Sequence, residues 1–181
     1  MRWGGAGQLA TGFVEAVDLF PTIVELAMHS AGNLAVPRCA SDMLSSRTTR
    51  LCTDGKSIVA ALHDPSTSLR PAAYSQVPRN DVVQGMQGGG VSASLGERFM
   101  GYTIRSDGWR YTEYFPFDPD TGVANWTSTV GVELYRHSNG DEEMRCTWDY
   151  ESANVAGDPK LAGVRAQMAE ALRAGMSPGA A

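Results

Sequence analysis

Two arginines that face each other across a hairpin are the side chains of this sequence best suited to bind an anion. They lie in FMGYTIRSDGWRYTEYFPF, residues 99–117, on either side of Asp107-Gly108, which is a strong signal for a two-residue turn. With that turn the predicted pairs are Ser106 with Trp109, Arg105 with Arg110, Ile104 with Tyr111, and Thr103 with Thr112. Because like charges directly opposite each other destabilise a sheet, this register predicts an anion beside Arg105 and Arg110.

The predicted anion is either a carboxylate of the protein or a ligand. Glu133 is the best internal candidate, since VELYRH, residues 132–137, would form a third strand beside the hairpin. The planar fork of an arginine can hold such a carboxylate through two hydrogen bonds. The other face of the hairpin is predicted to face the core, and it carries Met100, Tyr102, Ile104, Trp109 and Tyr111. We therefore interpret the hairpin as a support whose arginine face docks another surface, with contact to an acidic substrate as the alternative.

Other residue groups that could do chemistry are incomplete. No two histidines lie at the i, i+4 spacing of a helical metal site. Gly55-Lys56-Ser57 ends like a phosphate-binding loop, but Arg50 stands where that motif needs its first glycine. The acidic run at 141–143 lacks the alternating spacing of a calcium loop. The sequence therefore predicts no catalytic residue and no metal ligand.

Composition excludes several classes of protein. The 181 residues are 43% hydrophobic and carry a formal net charge of −5, which suits one globular domain but not a nucleic-acid binder. No apolar run approaches the roughly 20 residues that are needed to span a bilayer. The first residues, MRWGGAGQLATG, lack the apolar core of a secretory signal, so the sequence as written predicts no localisation.

Three cysteines and one N-glycosylation triplet give information about the cellular compartment of the chain. Cys39 and Cys52 are near neighbours and Cys146 is remote, so the simplest count is one local bridge and one free or buried thiol. Structural disulfides persist in oxidising compartments. Asn125-Trp126-Thr127 has the form of an N-glycosylation acceptor, which is meaningful only if the chain enters a secretory route.

The elements that would position these residues are a helix, a loop, several strands and a final helix. Asp18 can cap the first helix, and Pro21 suits its first turn. Strands are predicted for residues 72–78, ended by a proline, for both arms of the hairpin, and for 132–137. The last helix starts at Asp158-Pro159, and its apolar stripe carries Leu161, Val164, Met168 and Leu172. The predicted fold class is α+β, with a small antiparallel sheet of about four strands and a C-terminal helix.

The first helix has more apolar residues than a single buried stripe needs, namely Leu19, Phe20, Ile23, Val24, Leu26 and Ala27. On its own, this helix is expected to expose an apolar patch. The predicted divisions are a first segment over 1–35, a disulfide loop and connector over 36–71, a main unit over 72–175 with a flexible insertion at 85–96, and a tail over 176–181.

Several phrases of the sequence resemble sulfatases of the alkaline-phosphatase superfamily. VEAVDLFPTIVELA is similar to the helix phrase that follows their catalytic region. VPRC, LCTDGKSI, AYSQVPR, MGYTIRSDGWRYTEY, NWT and VELYRH then follow in the order found in iduronate-2-sulfatase-like enzymes. WDYESANVAGDP is similar to the motif before their last helix, so that the resemblance spans roughly residues 13–175. Arg136-His137 and the glycine-rich insertion depart from the family pattern.

The resemblance implies a structural role for most of the chain. It implies that Cys39–Cys52 is a family disulfide, that Asn125 is a glycosylation position, and that the strands form the small C-terminal subdomain. It also implies that residues 1–35 pack on an N-terminal sulfatase domain, and that the parent enzyme is secretory, lysosomal or extracellular. The arginine face of the hairpin would then contact that domain or an acidic ligand.

Sulfatases also need groups that this sequence does not provide. Their nucleophile is a formylglycine made from the first residue of Cys-x-Pro/Ala-Ser-Arg, or from a serine in its place, and it works beside a bound calcium. None of the three cysteines stands in that signature. The resemblance therefore implies the C-terminal part of a sulfatase that acts on sulfated sugars such as glycosaminoglycans. Calcium and formylglycine would belong to the parent enzyme, and this chain alone is expected to be inactive. The alternative is a non-catalytic secreted module that binds sulfated glycans or a partner protein.

Overall fold

A computed structural model of the protein describes residues 7–28, 36–39, 51–80, 98–137 and 151–176. These residues fall into two compact units, Met1–Ala73 and Tyr74–Ala181. The predicted insertion at 85–96 and Cys146 lie outside the described residues, as does the acidic run at 141–143.

The described part of the first unit contains two helices and a cross-linked loop. A 3-10 turn over Ala16–Asp18 runs directly into helix α1, Leu19–Met28, and helix α2 covers Val59–His63. Between the helices, Arg38 and Thr53 form an isolated parallel bridge. The predicted disulfide Cys39–Cys52 is present beside this bridge, with 4.8 Å between the two Cα atoms.

Helix α1 turns Pro21 and Thr22 towards its own unit. Pro21 and Thr22 are buried, whereas the apolar side chains on the other side of the helix are open to solvent. Their exposed fractions are 55% for Leu19, 44% for Phe20, 63% for Ile23 and 36% for Leu26. The exposed apolar patch that the sequence predicts is therefore confirmed.

The second unit is built on a five-stranded sheet. Its strands are β1 (Ala72–Asn80), β2 (Arg98–Ser106), β3 (Trp109–Asp118), β4 (Val123–Ala124) and β5 (Gly131–Arg136). The order is β1-β2-β3-β4, and β5 also pairs with β3, antiparallel like β2 and β4. A 3-10 turn over Pro159–Leu161 precedes the C-terminal helix α3, Ala162–Met176. This architecture confirms the predicted α+β class with an antiparallel sheet and a C-terminal helix.

The hairpin register matches the prediction residue by residue. Arg105 lies opposite Arg110, and Gly108 occupies the turn with a φ of +76°, a conformation that glycine adopts without strain. The core face of the hairpin is buried as predicted, except that Trp109 is only half-buried. The side chains that form the core are Met100, Tyr102, Ile104, Tyr111 and Phe115 from the hairpin, Leu134 from β5, and Met168 and Leu172 from α3.

Two boundaries differ from the sequence-based expectation. Pro78 does not end the first strand, because β1 continues to Asn80. β1 is the end strand of the sheet, and a proline can stand in such a strand without costing a ladder hydrogen bond. β4 and α2 were not predicted, since segments as short as Val123–Ala124 and Val59–His63 carry no periodic signal. Asp158 caps the last helix as expected, accepting a 2.9 Å hydrogen bond from the Lys160 backbone N–H.

Candidate functional site

The arginine pair lies on the sheet face opposite the core, and both arginines have partners within the second unit. The Arg110 guanidinium lies 2.8 Å from a carboxylate oxygen of Glu151 (Nη2 to Oε2), and it stacks over the Tyr135 ring at 5.3 Å from the centroid. Nη1 of Arg105 donates to the carbonyl oxygens of Ser106 and Trp109. The counter-charge of Arg110 is therefore a protein carboxylate.

The role of Glu133 as a counter-charge for the arginine pair stays a prediction. Glu133 lies on β5 opposite Thr112, so it shares the face of the arginines. Its charge acts on Tyr114, whose pKa is raised above 10.0 first by burial and then by Glu133. Among the described residues, however, the ion pair of Arg110 is made with Glu151. The contact of this face with another domain or a ligand remains a prediction.

Glu151 has an unusual backbone conformation, and its side chain has a second partner. Its φ is +68°, in the left-handed region that a non-glycine residue rarely adopts. Its other carboxylate oxygen, Oε1, lies 2.6 Å from Nε2 of His137, which is 9% exposed. One carboxylate thus joins an arginine of β3 to the histidine that follows β5.

The segment after Glu151 closes the open edge of β5. The side-chain carbonyl of Asn154 accepts a 3.0 Å hydrogen bond from the Leu134 N–H, and its amide donates to the Val132 carbonyl at 3.1 Å. The Val155 N–H then donates to the Leu134 carbonyl at 2.9 Å. The described part of the acidic phrase, ESANVAGDP, therefore supplies a cap for an edge strand, which would otherwise be open to pairing with another chain.

The first unit contains a second charged cluster, centred on Asp18. Its side chain is 1% exposed and accepts hydrogen bonds from the backbone N–H groups of Lys56 (2.7 Å) and Glu15 (2.8 Å). Arg70 donates to both carboxylate oxygens and also lies 2.8 Å from a carboxylate oxygen of Glu15. Sequence reasoning treated Asp18 as a helix cap, but its carboxylate joins segments 38 and 52 residues apart.

The contacts of Asp18 set its protonation. Burial alone would raise the pKa of this carboxyl, but the hydrogen bonds from Arg70, Lys56 and Glu15 outweigh it and lower the pKa below 3.8. Asp18 is therefore a structural anion at neutral pH. It is not poised to exchange a proton in catalysis, which would need a pKa near the working pH.

The Gly55-Lys56-Ser57 phrase also has a structural role here. A side chain at position 55 would overlap the backbone of Val17, so the loop can approach the 3-10 turn only with glycine there. The Lys56 N–H is committed to Asp18, and the loop then leads into α2. The phrase therefore forms a structural turn, and it leads into a helix that the sequence did not predict.

A third charged cluster lies on the core face of the second unit. Glu113, 3% exposed, accepts from the Thr129 hydroxyl at 2.6 Å and from Arg173 of α3 at 2.5 Å. Its second oxygen, Oε2, is buried and has no hydrogen-bond partner among the described residues. Burial, followed by the charge of Glu113, raises the pKa of the neighbouring Tyr111 to about 12. This cluster fastens α3 to the sheet.

The predicted glycosylation position lies in an exposed turn. The Thr127 hydroxyl donates to the Asn125 side-chain oxygen at 2.7 Å, and both residues are exposed. The Trp126 ring between them packs against Tyr102 and Phe115, with centroid distances of 4.5 and 4.6 Å. The triplet is therefore accessible and anchored to the core, while its modification remains a prediction.

The described residues do not fit the calcium site that the resemblance implies for a whole sulfatase. Within the described ranges, no three histidine, cysteine, aspartate or glutamate side chains gather as metal ligands would. The most deeply buried carboxylate, Asp18, is already taken by an arginine and two backbone N–H groups. No helix of the described part is both long and apolar enough to cross a membrane.

Comparison with known proteins places the chain beside the sulfatases, and it confirms the resemblance that the sequence phrases indicate. The chain is 34% identical to human iduronate 2-sulfatase over 139 residues, which is 71% of this chain and 24% of the human protein. It is 35% identical to the mouse iduronate 2-sulfatase over 143 residues, 74% of this chain and 24% of that protein. The chain thus spans about a quarter of the length of these curated relatives. No protein-family model matches it.

Proposed function

We propose that this chain is the C-terminal part of an iduronate-2-sulfatase-like enzyme, which as a whole hydrolyses sulfate esters of sugars such as glycosaminoglycans. The proposal rests mainly on one observation: the identity of 34–35% extends over 71–74% of the chain. Coverage of 24% of each relative fits a part of such an enzyme rather than the whole.

In this proposal the chain contributes structure to the enzyme, and the chemistry lies elsewhere. Hydrolysis of a sulfate ester needs an activated nucleophile and positive groups that stabilise the charge developing on the sulfate oxygens. None of the cysteines has the surroundings of a formylglycine precursor, and the described residues do not fit a calcium site. Calcium and formylglycine would supply that chemistry from the upstream region of the parent enzyme.

A replacement experiment tests this function. The chain would be put in place of the matching segment of mouse iduronate 2-sulfatase, and hydrolysis of a sulfated uronate substrate would be measured. We expect the chimera to be active, and both the mouse protein lacking the segment and the purified chain alone to be inactive. Formylglycine-generating enzyme and calcium would be included throughout. An inactive but folded chimera, or turnover by the chain alone, would contradict the proposal.

The proposal includes passage through a secretory route. The Cys39–Cys52 bridge suits an oxidising compartment, and Asn125 is exposed for modification. Expression of the chimera in secreting mammalian cells should attach a glycan at Asn125, detected as a mobility shift on enzymatic deglycosylation. The variant Asn125→Gln should lose that part of the shift, and an unchanged shift would remove this element of the proposal.

A second candidate is a non-catalytic module that binds sulfated glycans. Its support is that Arg79 and Arg110 lie over the rings of Tyr114 and Tyr135, at 5.5 and 5.3 Å from the centroids. Arginine and tyrosine together can recognise an acidic sugar by charge and by stacking. Retention of the isolated chain on immobilised heparin, lost in the double variant Arg79→Gln/Arg110→Gln, would favour this candidate. Elution without retention at low salt would exclude it.

A further inference from the structure

The Asn125-Trp126-Thr127 triplet lies at the surface, but hydrogen bonds fix its backbone. The Asn125 N–H donates to the Pro116 carbonyl at 2.8 Å, and the Ser128 N–H donates to the Asn125 carbonyl at 3.1 Å. The Asn125 side-chain oxygen accepts from the Thr127 N–H at 3.2 Å and from its hydroxyl at 2.7 Å. Both ends of the triplet are therefore held in a closed turn that follows β4.

The middle residue of the triplet is held by the last helix as well as by the core. The Trp126 carbonyl accepts a 2.9 Å hydrogen bond from Nη1 of Arg173, which lies near the end of α3. Nη2 of the same arginine lies 3.3 Å from the Thr129 hydroxyl and 2.5 Å from a carboxylate oxygen of Glu113. One arginine of α3 thus joins the loop that carries the triplet to strand β3.

The side-chain nitrogen of Asn125, Nδ2, is the atom that a glycan would modify. Transfer joins Nδ2 to C1 of a sugar, while Nδ2 loses one proton and the lipid diphosphate that carried the sugar leaves. Among the described residues, the side-chain hydrogen bonds of Asn125 all go to its oxygen. A glycan on Nδ2 is therefore compatible with the closed turn. The enzyme that adds it must take the triplet into its own cleft, which requires the turn to open.

We propose that the contacts of Arg173 lock this turn, so that Asn125 accepts a glycan only before α3 docks on the sheet. The inference rests on the secretory part of the proposed function. Arg173 follows Trp126 by 47 residues, so the triplet is synthesised before the helix that locks it. At the usual rate of synthesis, about 5–20 residues per second, the triplet stays free of this contact for about 2–10 s. Docking of α3 then closes the acceptor.

The test measures glycan transfer by oligosaccharyltransferase, with a lipid-linked oligosaccharide, to the purified chain produced without glycans. A synthetic peptide of residues 121–131 gives the rate for an open acceptor. We expect the folded chain to react at least about tenfold more slowly than the peptide, because its turn must open first. Arg173→Met should remove most of this difference. Arg165→Met is the matched control and should react like wild type, since Arg165 of the same helix donates to the Ala156 carbonyl instead.

A double variant separates local opening of the turn from loss of the fold. Glu113→Leu/Arg173→Met lacks the whole buried pair, and apolar residues often replace such a pair without loss of stability. We expect this variant to take up glycan as fast as Arg173→Met does. Hydrogen exchange of its Ser128 N–H should accelerate at least about tenfold, while exchange in β2 and β3 does not change. Equal acceleration in the strands would show global unfolding and would overturn the lock.

The transfer rates distinguish failure of the lock from failure of the proposed function. A folded wild-type chain that reacts as fast as the peptide would overturn the lock, and so would a double variant that reacts as slowly as wild type. Neither result changes the proposed sulfatase function. A peptide that takes up no glycan would overturn the lock together with glycosylation at Asn125. The expected rates, combined with a folded but inactive chimera, would support the lock and contradict the proposed function.

Discussion

Among the described residues, each unit buries one carboxylate against an arginine, but the two pairs are built differently. Both oxygens of Asp18 are satisfied, by Arg70 and by two backbone N–H groups. Glu113 accepts from Arg173 and Thr129 through one oxygen and leaves the other, buried, without a partner in the described part. The first pair joins separate segments of its unit, and the second fastens the C-terminal helix to the sheet.

The difference indicates what stabilises each unit. The buried apolar side chains described in the first unit outside strand β1 are few and small, namely Pro21 and Val59, while Leu19, Phe20, Ile23 and Leu26 are exposed. The second unit fully buries Tyr111, Phe115, Ile104, Leu134 and Leu172. Polar contacts and a disulfide therefore stabilise the first unit, whereas the second has an apolar core of its own.

Substitution of Asp18 should give the largest difference in stability between the two units. Asp18→Asn removes the charge that faces Arg70, whose side chain is 11% exposed and would keep only Glu15 as an ionic partner. Loss of one member of a buried pair costs about 3–5 kcal/mol. We expect hydrogen exchange to accelerate in α1 and in residues 51–64, with no change in β2 and β3. Equal acceleration of hydrogen exchange in both units would contradict the conclusion that different contacts stabilise them.

Acid should act on the same site. Because the pKa of Asp18 in the folded protein lies below 3.8, its contribution to stability is fully present well above that value. This contribution is lost as the pH falls through the lowered pKa. Lowering the pH from 7 should therefore reduce the free energy of unfolding of the first unit less in Asp18→Asn than in wild type. Asp64→Asn is the control: hydrogen bonds from Ser66 also lower the pKa of exposed Asp64, but they lie within one turn open to solvent, so this variant should respond to acid nearly as wild type does.

The disulfide gives the next largest effect. Replacement of Cys39 and Cys52 by alanine should lower the free energy of unfolding of the first unit by about 3 kcal/mol, the value expected for a loop of this size. The bridge spans 13 residues of sequence. Peptide mapping without reductant should find Cys39 joined to Cys52 and Cys146 as a free thiol. A bridge that contains Cys146 would contradict this prediction.

Loss of the Glu113–Arg173 pair in the second unit should cost less stability, and a second substitution should restore most of it. Arg173→Met leaves the buried Glu113 without its ionic partner, which should cost about 2 kcal/mol because Arg173 is 40% exposed and partly screened. The double variant Glu113→Leu/Arg173→Met should regain most of that stability, since apolar residues often replace a buried pair without loss. Thermal unfolding measures both. A double variant no more stable than Arg173→Met would show that the pair itself stabilises the sheet.

Sequence patterns were sufficient where structure is determined by neighbouring residues. The turn residues Asp107-Gly108 set the hairpin register, and the register set which side chains face the core. Asp158-Pro159 located the start of the last helix for the same reason. Spacing alone made a Cys39–Cys52 bridge the simplest of several possible pairings, and the family resemblance implied that pairing.

The charged clusters could not be predicted in the same way, because their members meet only after folding. Alternation along β3 places Glu113 between Tyr111 and Phe115, and a carboxylate on a core face signals a buried partner. The sequence does not identify that partner, which lies 60 residues away in α3. Glu151 was hidden in an irregular acidic stretch, so the more regular strand residue Glu133 was preferred as the counter-charge.

The smallest expected effect concerns the arginine face of the hairpin, where the two partners of one ion pair should not be equivalent. The side chains of Arg110 and Glu151 are 34% and 21% exposed, so solvent screens their attraction. Arg110→Gln should cost only about 0.5 kcal/mol, since it also relieves the repulsion from Arg105 directly opposite. Glu151→Gln should cost more, about 1–2 kcal/mol, because it removes a carboxylate that both Arg110 and His137 contact. Urea unfolding of both variants would reveal the asymmetry, and equal losses would mean that another anion serves the pair.

In the active chimera, Arg105→Gln should lower folding yield and melting temperature before it changes the Michaelis constant. A normally folded variant with weakened substrate affinity alone would assign this face to the substrate instead.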